Sequence, residues 1–483
     1  MIPVVGTFAK RSVQRVQNIV YAKAGRRKGN AVIAFTLISV AYLGYIFFIK
    51  DYPYIDITPV NKNDVTTYCN YPLDQTGNEG KLPQNGDSKF SLEMVQLMIR
   101  HGDRSTAKEI PGMEKRDMDC SANPKHGPAK KIFEGYRKVV ERFVVRKMNA
   151  DDDETDHDLV SYSDICLKQG QLTTKGYEQH FDLGKLLRGA YSDLHVKGIT
   201  KDQVYIRSTS RDRTTQSAAA FIYGFLDLDT IQKGITVNIS KDTWFRELDS
   251  GLLQRCQAAI SLKKETIEES VYRSGQAAMK PLIREIADML FQPSHALPPV
   301  QYITDYVYVF SCQGFELPCG GNGCITKGMA LKLMAYANWA FIHNYTKIAR
   351  VVTHQVFSQM ATRMVKSVQR QTPIKFALYS GHDSSITPAL IALGIFNGKW
   401  IPYASRLVFE LWRDKTVDSD KTSLKGWYVR VLFNGEAVTE RASFCKGEVF
   451  GSYELCPLEV FVNWLSEDGT IDGMTRRYGK MCA

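Results

Sequence analysis

The sequence predicts an α/β fold: a mixed central sheet flanked by helices, with an inserted helical cap subdomain, preceded by one N-terminal transmembrane helix. Three observations predict it. Three short apolar runs each end in a charge-bearing loop just ahead of a helical pattern, the signature of buried strands feeding helices. Between them, over about 245–345, the apolar spacing becomes helical and strand runs are few, as an inserted helical unit would require. Ahead of everything lies an uncharged stretch at 31–49.

That stretch, AVIAFTLISVAYLGYIFFI, has 19 residues. As a helix rising about 1.5 Å per residue it spans roughly 28 Å, enough for a hydrocarbon core. Residues 1–30 carry seven Lys and Arg and no acid, so they form a cytoplasmic basic tail, and the bulk of the chain is expected across the membrane. The run ends in bulky residues and follows a long leader, which favours a signal anchor over a cleaved signal peptide. The tail also accounts for most of the formal charge of +11, leaving +4 for the rest. So small a surplus, without a basic stripe or stacking motif, argues against nucleic acid as a partner. With 44% hydrophobic and 23% charged residues, neither a disordered chain nor a multi-span membrane protein fits.

Residues 50–88 are rich in Asp, Asn, Pro and Gly and read as a luminal stem. The catalytic domain is expected over 89–479. Its first apolar run, MVQLMI at 94–99, ends in Arg100-His101-Gly102-Asp103-Arg104. The second, QVYI at 203–206, leads through Arg207 and Arg211 to Arg213. The third, FALY at 376–379, ends in Ser380-Gly381-His382-Asp383. In open α/β sheets ligands bind at the carboxyl ends of strands, over helix N-termini that favour anions. Three such loops converging would build a pocket rich in Arg and His. The acidic run at 151–158 lacks the glycine and distal glutamate of a calcium loop and reads as a solvated insertion. VYVF at 307–310 is the one strand-like run of the cap, and RLVFELW at 406–412 with WYVRVLF at 427–433 suggests an edge hairpin.

All ten cysteines follow the apolar run, and an even number in an oxidising lumen is expected to form disulfides. Cys319 and Cys324 lack a histidine partner at finger spacing, so a disulfide loop is preferred to zinc. The remaining pairing is open. Asn238-Ile-Ser and Asn344-Tyr-Thr are glycosylation sequons, consistent with a luminal chain.

If Arg100, Arg104, Arg213 and His382 face one point, their forks match phosphate oxygens and make a multiply charged transition state tolerable without a metal or other cofactor. His101 is then placed to act as a nitrogen nucleophile, kept neutral by the surrounding positive charge. Asp383 supplies the proton to the leaving oxygen. Gly102 allows close backbone approach to the phosphate. Arg207 and Arg211 are rivals of Arg213, while His180 and His354 read as ordinary helix residues.

Arg100-His-Gly-Asp-Arg104 and His382-Asp383 resemble the two signature motifs of the histidine acid phosphatases, branch 2 of the histidine phosphatase superfamily. LTTKGYEQHFDLG at 172–184 resembles that family's helix start after its first insertion, and Ser208-Thr209 with Arg213-Thr214 its third phosphate-binding segment. The resemblance implies an α/β core with a helical cap, His101 as nucleophile, Asp383 as proton donor, and Arg100, Arg104, Arg213 and His382 around the phosphoryl group. Two positions depart from the pattern: Thr106 replaces a common proline, and Ser384-Ser385-Ile386 replaces a run whose third residue is often threonine. Both bear on loop shape and remove no reacting atom. PCGGNGC at 318–324, RLVFELW at 406–412, Ser443-Phe-Cys445 and Cys456-Pro-Leu-Glu459, together with the anchor, resemble a Golgi-resident, glycan-directed member of the family. That closer likeness implies a phosphorylated glycan or other phosphomonoester as substrate, single-pass type II placement in the Golgi membrane, and glycosyltransferases of linkage-region synthesis as neighbours. A general acid phosphatase of the secretory or lysosomal pathway, and a non-catalytic phosphoglycan-binding relative, are the alternatives.

Overall fold

The computed structural model describes residues 57, 59–70, 77–83, 89–113, 115–123, 129–147, 164–196, 198–240, 256–291, 299–418, 420, 422–449 and 451–483. The expected membrane span, basic tail and acidic run lie outside them. Among the described residues no helix is long and apolar enough to cross a membrane.

Strand β1 (Phe90–Arg100) is buried almost throughout. Its Val95, Leu97 and Ile99 face one layer and Met94 and Met98 the other, so both faces are covered and the sequence reads as one apolar run. Gln96, the polar exception, donates from Nε2 to the Met360 carbonyl at 2.8 Å. β2 (Phe143–Lys147), β3 (Val204–Thr209), β4 (Ile235–Ser240), β5 (Cys319–Gly320), β6 (Gly323–Cys324), β7 (Phe376–Gly381), β8 (Arg406–Asp414), β9 (Trp427–Phe433), β10 (Glu436–Ala437) and β11 (Cys456–Pro457) follow. The main sheet runs β10-β9-β8-β1-β7-β3-β4-β2, with β11 paired to β9. β1, β7, β3, β4 and β2 are mutually parallel, whereas β8 is antiparallel to β1 and to β9. The expected hairpin is therefore present, its inner strand against β1.

One face of the sheet is covered by the helices Thr174–Ala190 and Asp212–Phe225. These two approach so closely that a Cβ on Gly184 would lie 2.2 Å from the Phe221 carbonyl oxygen, and one on Gly224 the same distance from that of Phe181. The other face carries the helices Ala349–Val368, Asp383–Ala392 and Leu458–Leu465. The cap is helical as expected, built from Gln257–Glu268, Ser270–Leu290, Val300–Gln313 and Lys327–Thr346. The strand-like run at 307–310 is a correction, since it lies inside Val300–Gln313. Ile303, Val307 and Phe310 are buried in the cap core at helical spacing, and that burial overrides the β-propensity of a Val- and Tyr-rich run. Gly314, with φ 71°, ends the helix in a left-handed cap.

Parts of the segment expected as a stem are ordered. Lys62–Cys69 is a helix opened by a capping box between Asn61 and Asp64. Residues 77–82 lie against β8 and β9, where the guanidinium of buried Arg406 meets buried Glu79 at 2.5 Å. Arg430 donates to the carbonyls of Asn78 and Lys81 at 2.8 and 2.7 Å. Order here comes from point tethers instead of apolar periodicity, so composition alone gives no sign of it. The ten cysteines form Cys69–Cys312, Cys120–Cys166, Cys256–Cys482, Cys319–Cys324 and Cys445–Cys456.

Candidate active site

Because β1, β7 and β3 are adjacent and parallel, their carboxyl ends open side by side, and the three charged loops converge as the sequence predicts. His101 follows β1 directly, and its backbone N–H donates to the Gly381 carbonyl at 2.9 Å, which locks the first loop to the third. Its Nδ1 lies 2.8 Å from the Gly102 carbonyl oxygen. A carbonyl only accepts, so Nδ1 carries the proton and Nε2 keeps its lone pair. The ring is 1% exposed and lies 5.4 Å, centroid to centroid, from that of His382. Burial, then the positive charges of Arg213 and Arg100, hold its pKa well below the ordinary imidazole value.

Gly102 serves a different close approach from the one expected. A Cβ there would lie 2.5 Å from the Gly176 carbonyl oxygen, so the missing side chain seats the loop on the helix Thr174–Ala190. Asp103 turns away to the same helix: Thr173 Oγ1 donates to its carboxylate at 2.6 Å, and its backbone N–H donates to Gln179 Oε1 at 2.8 Å. Burial pushes its pKa up to about 6 despite the Thr173 donor and the nearby Lys175 and Arg104.

The arginines converge, but each is already engaged. Arg100, 1% exposed, donates from Nη1 to the Ile401 carbonyl and from Nη2 to Tyr68 Oη at 3.0 Å, and pairs with Asp383 Oδ2 at 3.1 Å. Arg104 pairs through Nη2 with Asp305 of the cap at 2.7 Å, and the other oxygen of that carboxylate accepts from the Ala107 N–H at 2.6 Å. Arg213, in the first turn of Asp212–Phe225, donates from Nη2 to His382 Nδ1 at 3.3 Å. With Nδ1 accepting, His382 Nε2 donates to Thr209 Oγ1 at 2.9 Å. Its pKa is depressed by burial and then by Arg213 and Arg211. Of the rivals, Arg207 is directed to Gln359 at 2.6 Å, while Arg211 is the N-cap residue of the Arg213 helix.

Asp383 opens the helix Asp383–Ala392, and the Trp400 indole N–H donates to its Oδ2 at 3.2 Å. Burial acts to raise its pKa, but Arg100, Arg104 and the donated hydrogen bonds outweigh it and hold the carboxyl below its ordinary range. His180 and His354 sit within helices, buried. Of the sequons, Asn238 lies in β4 with Nδ2 donating to the Ile206 carbonyl at 2.8 Å, and Asn344 lies in Lys327–Thr346 with Nδ2 3.3 Å from Tyr272 Oη.

Tyr68, Asp305, Trp400 and Tyr403 are the neighbours that sequence reasoning missed. Trp400 and Tyr68 lie 17 and 32 residues from the motif residues they touch and Asp305 lies 201 away, all in segments without a signature of their own.

The model of the histidine phosphatase superfamily (branch 2) matches residues 91–271 and 300–434. The chain is 29% identical to 2-phosphoxylose phosphatase 1 of Xenopus tropicalis over 423 residues, covering 84% of this chain and 79% of that one. It is 28% identical to the Homo sapiens protein of the same name, over 83% of this chain and 82% of that one. Lysosomal acid phosphatase of Xenopus laevis is 28% identical over 51% of this chain and 59% of its own length. Among solved structures, the phytase from Citrobacter braakii superposes with a TM-score of 0.48 at 18% identity, over 81% of this chain and 98% of that one. The match spans both the loops that carry the site and the sheet that positions them, so this chain belongs to branch 2 of the histidine phosphatase superfamily and is a phosphomonoesterase.

Proposed function

We propose that this phosphomonoesterase works through a phosphohistidine on His101 and removes the 2-phosphate from xylose in the glycosaminoglycan–protein linkage region, in the Golgi lumen. The observation that carries the mechanism is the 2.8 Å contact of His101 Nδ1 with the Gly102 carbonyl: a carbonyl only accepts, so Nδ1–H is committed there and Nε2 keeps a lone pair in the field of Arg213 and Arg100. His101 Nε2 attacks phosphorus, and the P–O bond to the alcohol breaks as Asp383 gives its proton to the leaving oxygen. Water then attacks the phosphohistidine, Asp383 takes its proton, and phosphate leaves with neutral His101 restored. Arg100, Arg104 and Arg213 offset the charge on the transferring oxygens, Arg104 doing so while paired with Asp305, and neutral His382 holds Arg213 in place through Nδ1. An incoming dianion also counters the field that keeps Asp383 ionised, so substrate itself favours the protonated acid.

The substrate reading rests on the relatives named for 2-phosphoxylose, the luminal reading on five disulfides and on the charge-free run behind a basic tail. The substrate and the nucleophile are tested by comparing kcat/KM for a phosphoxylosyl linkage oligosaccharide and for small phosphomonoesters, with the parent and His101→Ala. Preference for the oligosaccharide and loss of turnover in His101→Ala are expected. Equal kcat/KM on all substrates would leave a general acid phosphatase. Equal turnover by parent and variant would overturn the nucleophile.

A further inference from the structure

We propose that Tyr68, from the segment ahead of the family domain, is a positioning residue for this reaction, setting how tightly Arg100 holds Asp383. The proposal rests on the reading of His101 as nucleophile and Asp383 as acid. The matched domain begins at residue 91, and Tyr68 precedes it on the helix Lys62–Cys69. Its hydroxyl accepts from Arg100 Nη2 at 3.0 Å, and the same nitrogen lies 3.1 Å from Asp383 Oδ2. One guanidinium nitrogen is thus divided between a neutral acceptor and the carboxylate that must take and give the proton. The Arg100 guanidinium also lies between rings, 5.0 Å from the Tyr68 centroid and 4.4 Å from that of Tyr403, and is fixed at its other end by the Ile401 carbonyl.

Tyr68 is itself held from four directions. Its ring meets Tyr308 at 4.5 Å and Tyr403 at 4.8 Å. Its carbonyl accepts from the Tyr403 N–H at 3.2 Å. The next carbonyl, of Cys69, accepts from Gln179 Nε2 at 3.0 Å, and the other end of that amide takes the Asp103 N–H of the nucleophile loop. The Cys69–Cys312 disulfide ties the helix end to the cap. So much restraint on one exposed-end helix of a polar segment is what a side chain needs when its position sets another's.

The consequence has a sign. Without the hydroxyl, Arg100 Nη2 turns to Asp383 alone and stabilises its carboxylate further. The protonated acid becomes scarcer at any given pH, so the basic limb of the kcat profile moves to lower pH. Phosphate binding keeps its remaining groups, so KM moves less than kcat.

The test is kcat and KM against pH on an alkyl phosphomonoester, with the full-length parent, Tyr68→Phe, and the double variant Cys69→Ser/Cys312→Ser. Tyr68→Phe is expected to move the basic limb acidward by about half a unit or more and to lower kcat on that limb roughly three- to tenfold, the scale of one charge-assisted hydrogen bond. The double variant leaves every group at the phosphate site in place and is expected to shift the limb the same way; it decides alone if Tyr68→Phe does not fold. A limb at the parent's pH overturns the proposal, even if kcat drops equally at all pH values. His101→Ala, run alongside, separates the readings. Undiminished turnover there overturns the nucleophile and this proposal together, whereas its loss beside an unshifted Tyr68→Phe overturns this proposal alone.

Discussion

At the scale of residues, the two groups proposed to react are displaced in ways that suit acid conditions. His101 must be neutral to attack, and burial with nearby arginines keeps it neutral well below the usual imidazole range. Asp383 must be protonated to give its proton, and Arg100 with Arg104 makes that form scarce near neutrality. The nucleophile is therefore not lost as pH falls through the ordinary histidine range, while the acid is gained. We expect kcat to fall by about tenfold per pH unit on the basic limb, with no acid limb near pH 6.5, the ordinary histidine value. A pH–rate profile with half-loss near 6.5 on its acid side would mean that His101 is not shielded. Replacing the acid gives a second expectation. Asp383→Asn should slow an alkyl or sugar phosphate by about 10²–10³-fold, within the usual range for general acid catalysis, and a nitrophenyl phosphate far less, because that leaving group needs no proton. Equal losses on both substrates would remove the proton-donor role.

At the scale of elements, the strands that end in the three motifs were legible because each is buried on both faces and stops abruptly at charge. Their convergence followed from the rule for open sheets, and the adjacency of β1, β7 and β3 bears it out. What the motifs do not reveal is who holds their arginines. Asp305 and Tyr68 reach the site from the cap and from the supposed stem, and pairing over such separations leaves no local pattern in sequence. The same holds for residues 77–82, whose order depends on single buried charges. Glu79 is 2% exposed against Arg406 at 0%, and the Gly80 N–H donates to buried Glu410 at 2.7 Å. Removing one member of such a pair takes the counter-charge from its partner. Glu79→Ala should cost about 3–5 kcal/mol, the usual penalty for an uncompensated buried charge, read as a lower midpoint in urea unfolding. A change below about 1 kcal/mol, the value of an exposed pair, would show that water reaches Arg406 and that the segment is loosely held.

At the scale of the whole molecule, the net charge and the cysteines both support the proposed luminal placement. The excess of positive charge lies ahead of the uncharged run, and all ten cysteines lie beyond it, joined in five pairs. Such complete pairing suits the proposed luminal placement, since crosslinks between distant segments persist in an oxidising compartment. Two of them span most of the catalytic unit: Cys69–Cys312 over 243 residues and Cys256–Cys482 over 226. Their intervals overlap, so each closes a loop that the other already shortens, and the second contributes less than a lone loop of that length would. Cys256–Cys482 joins the start of the cap to the C-terminal helix Ile471–Cys482, packed with Ala259 and Val351 away from the converging loops. Replacing both cysteines by serine should lower stability by about 2–4 kcal/mol through the freed unfolded chain. kcat and KM should stay at parental values, since neither sulfur touches a site residue. Denaturant unfolding of parent and Cys256→Ser/Cys482→Ser, with activity assayed before unfolding, checks both halves. Equal midpoints would mean that the crosslink restrains nothing the remaining four do not. A loss of activity at full stability would instead couple the C-terminal helix to the cap, and through Asp305 to Arg104.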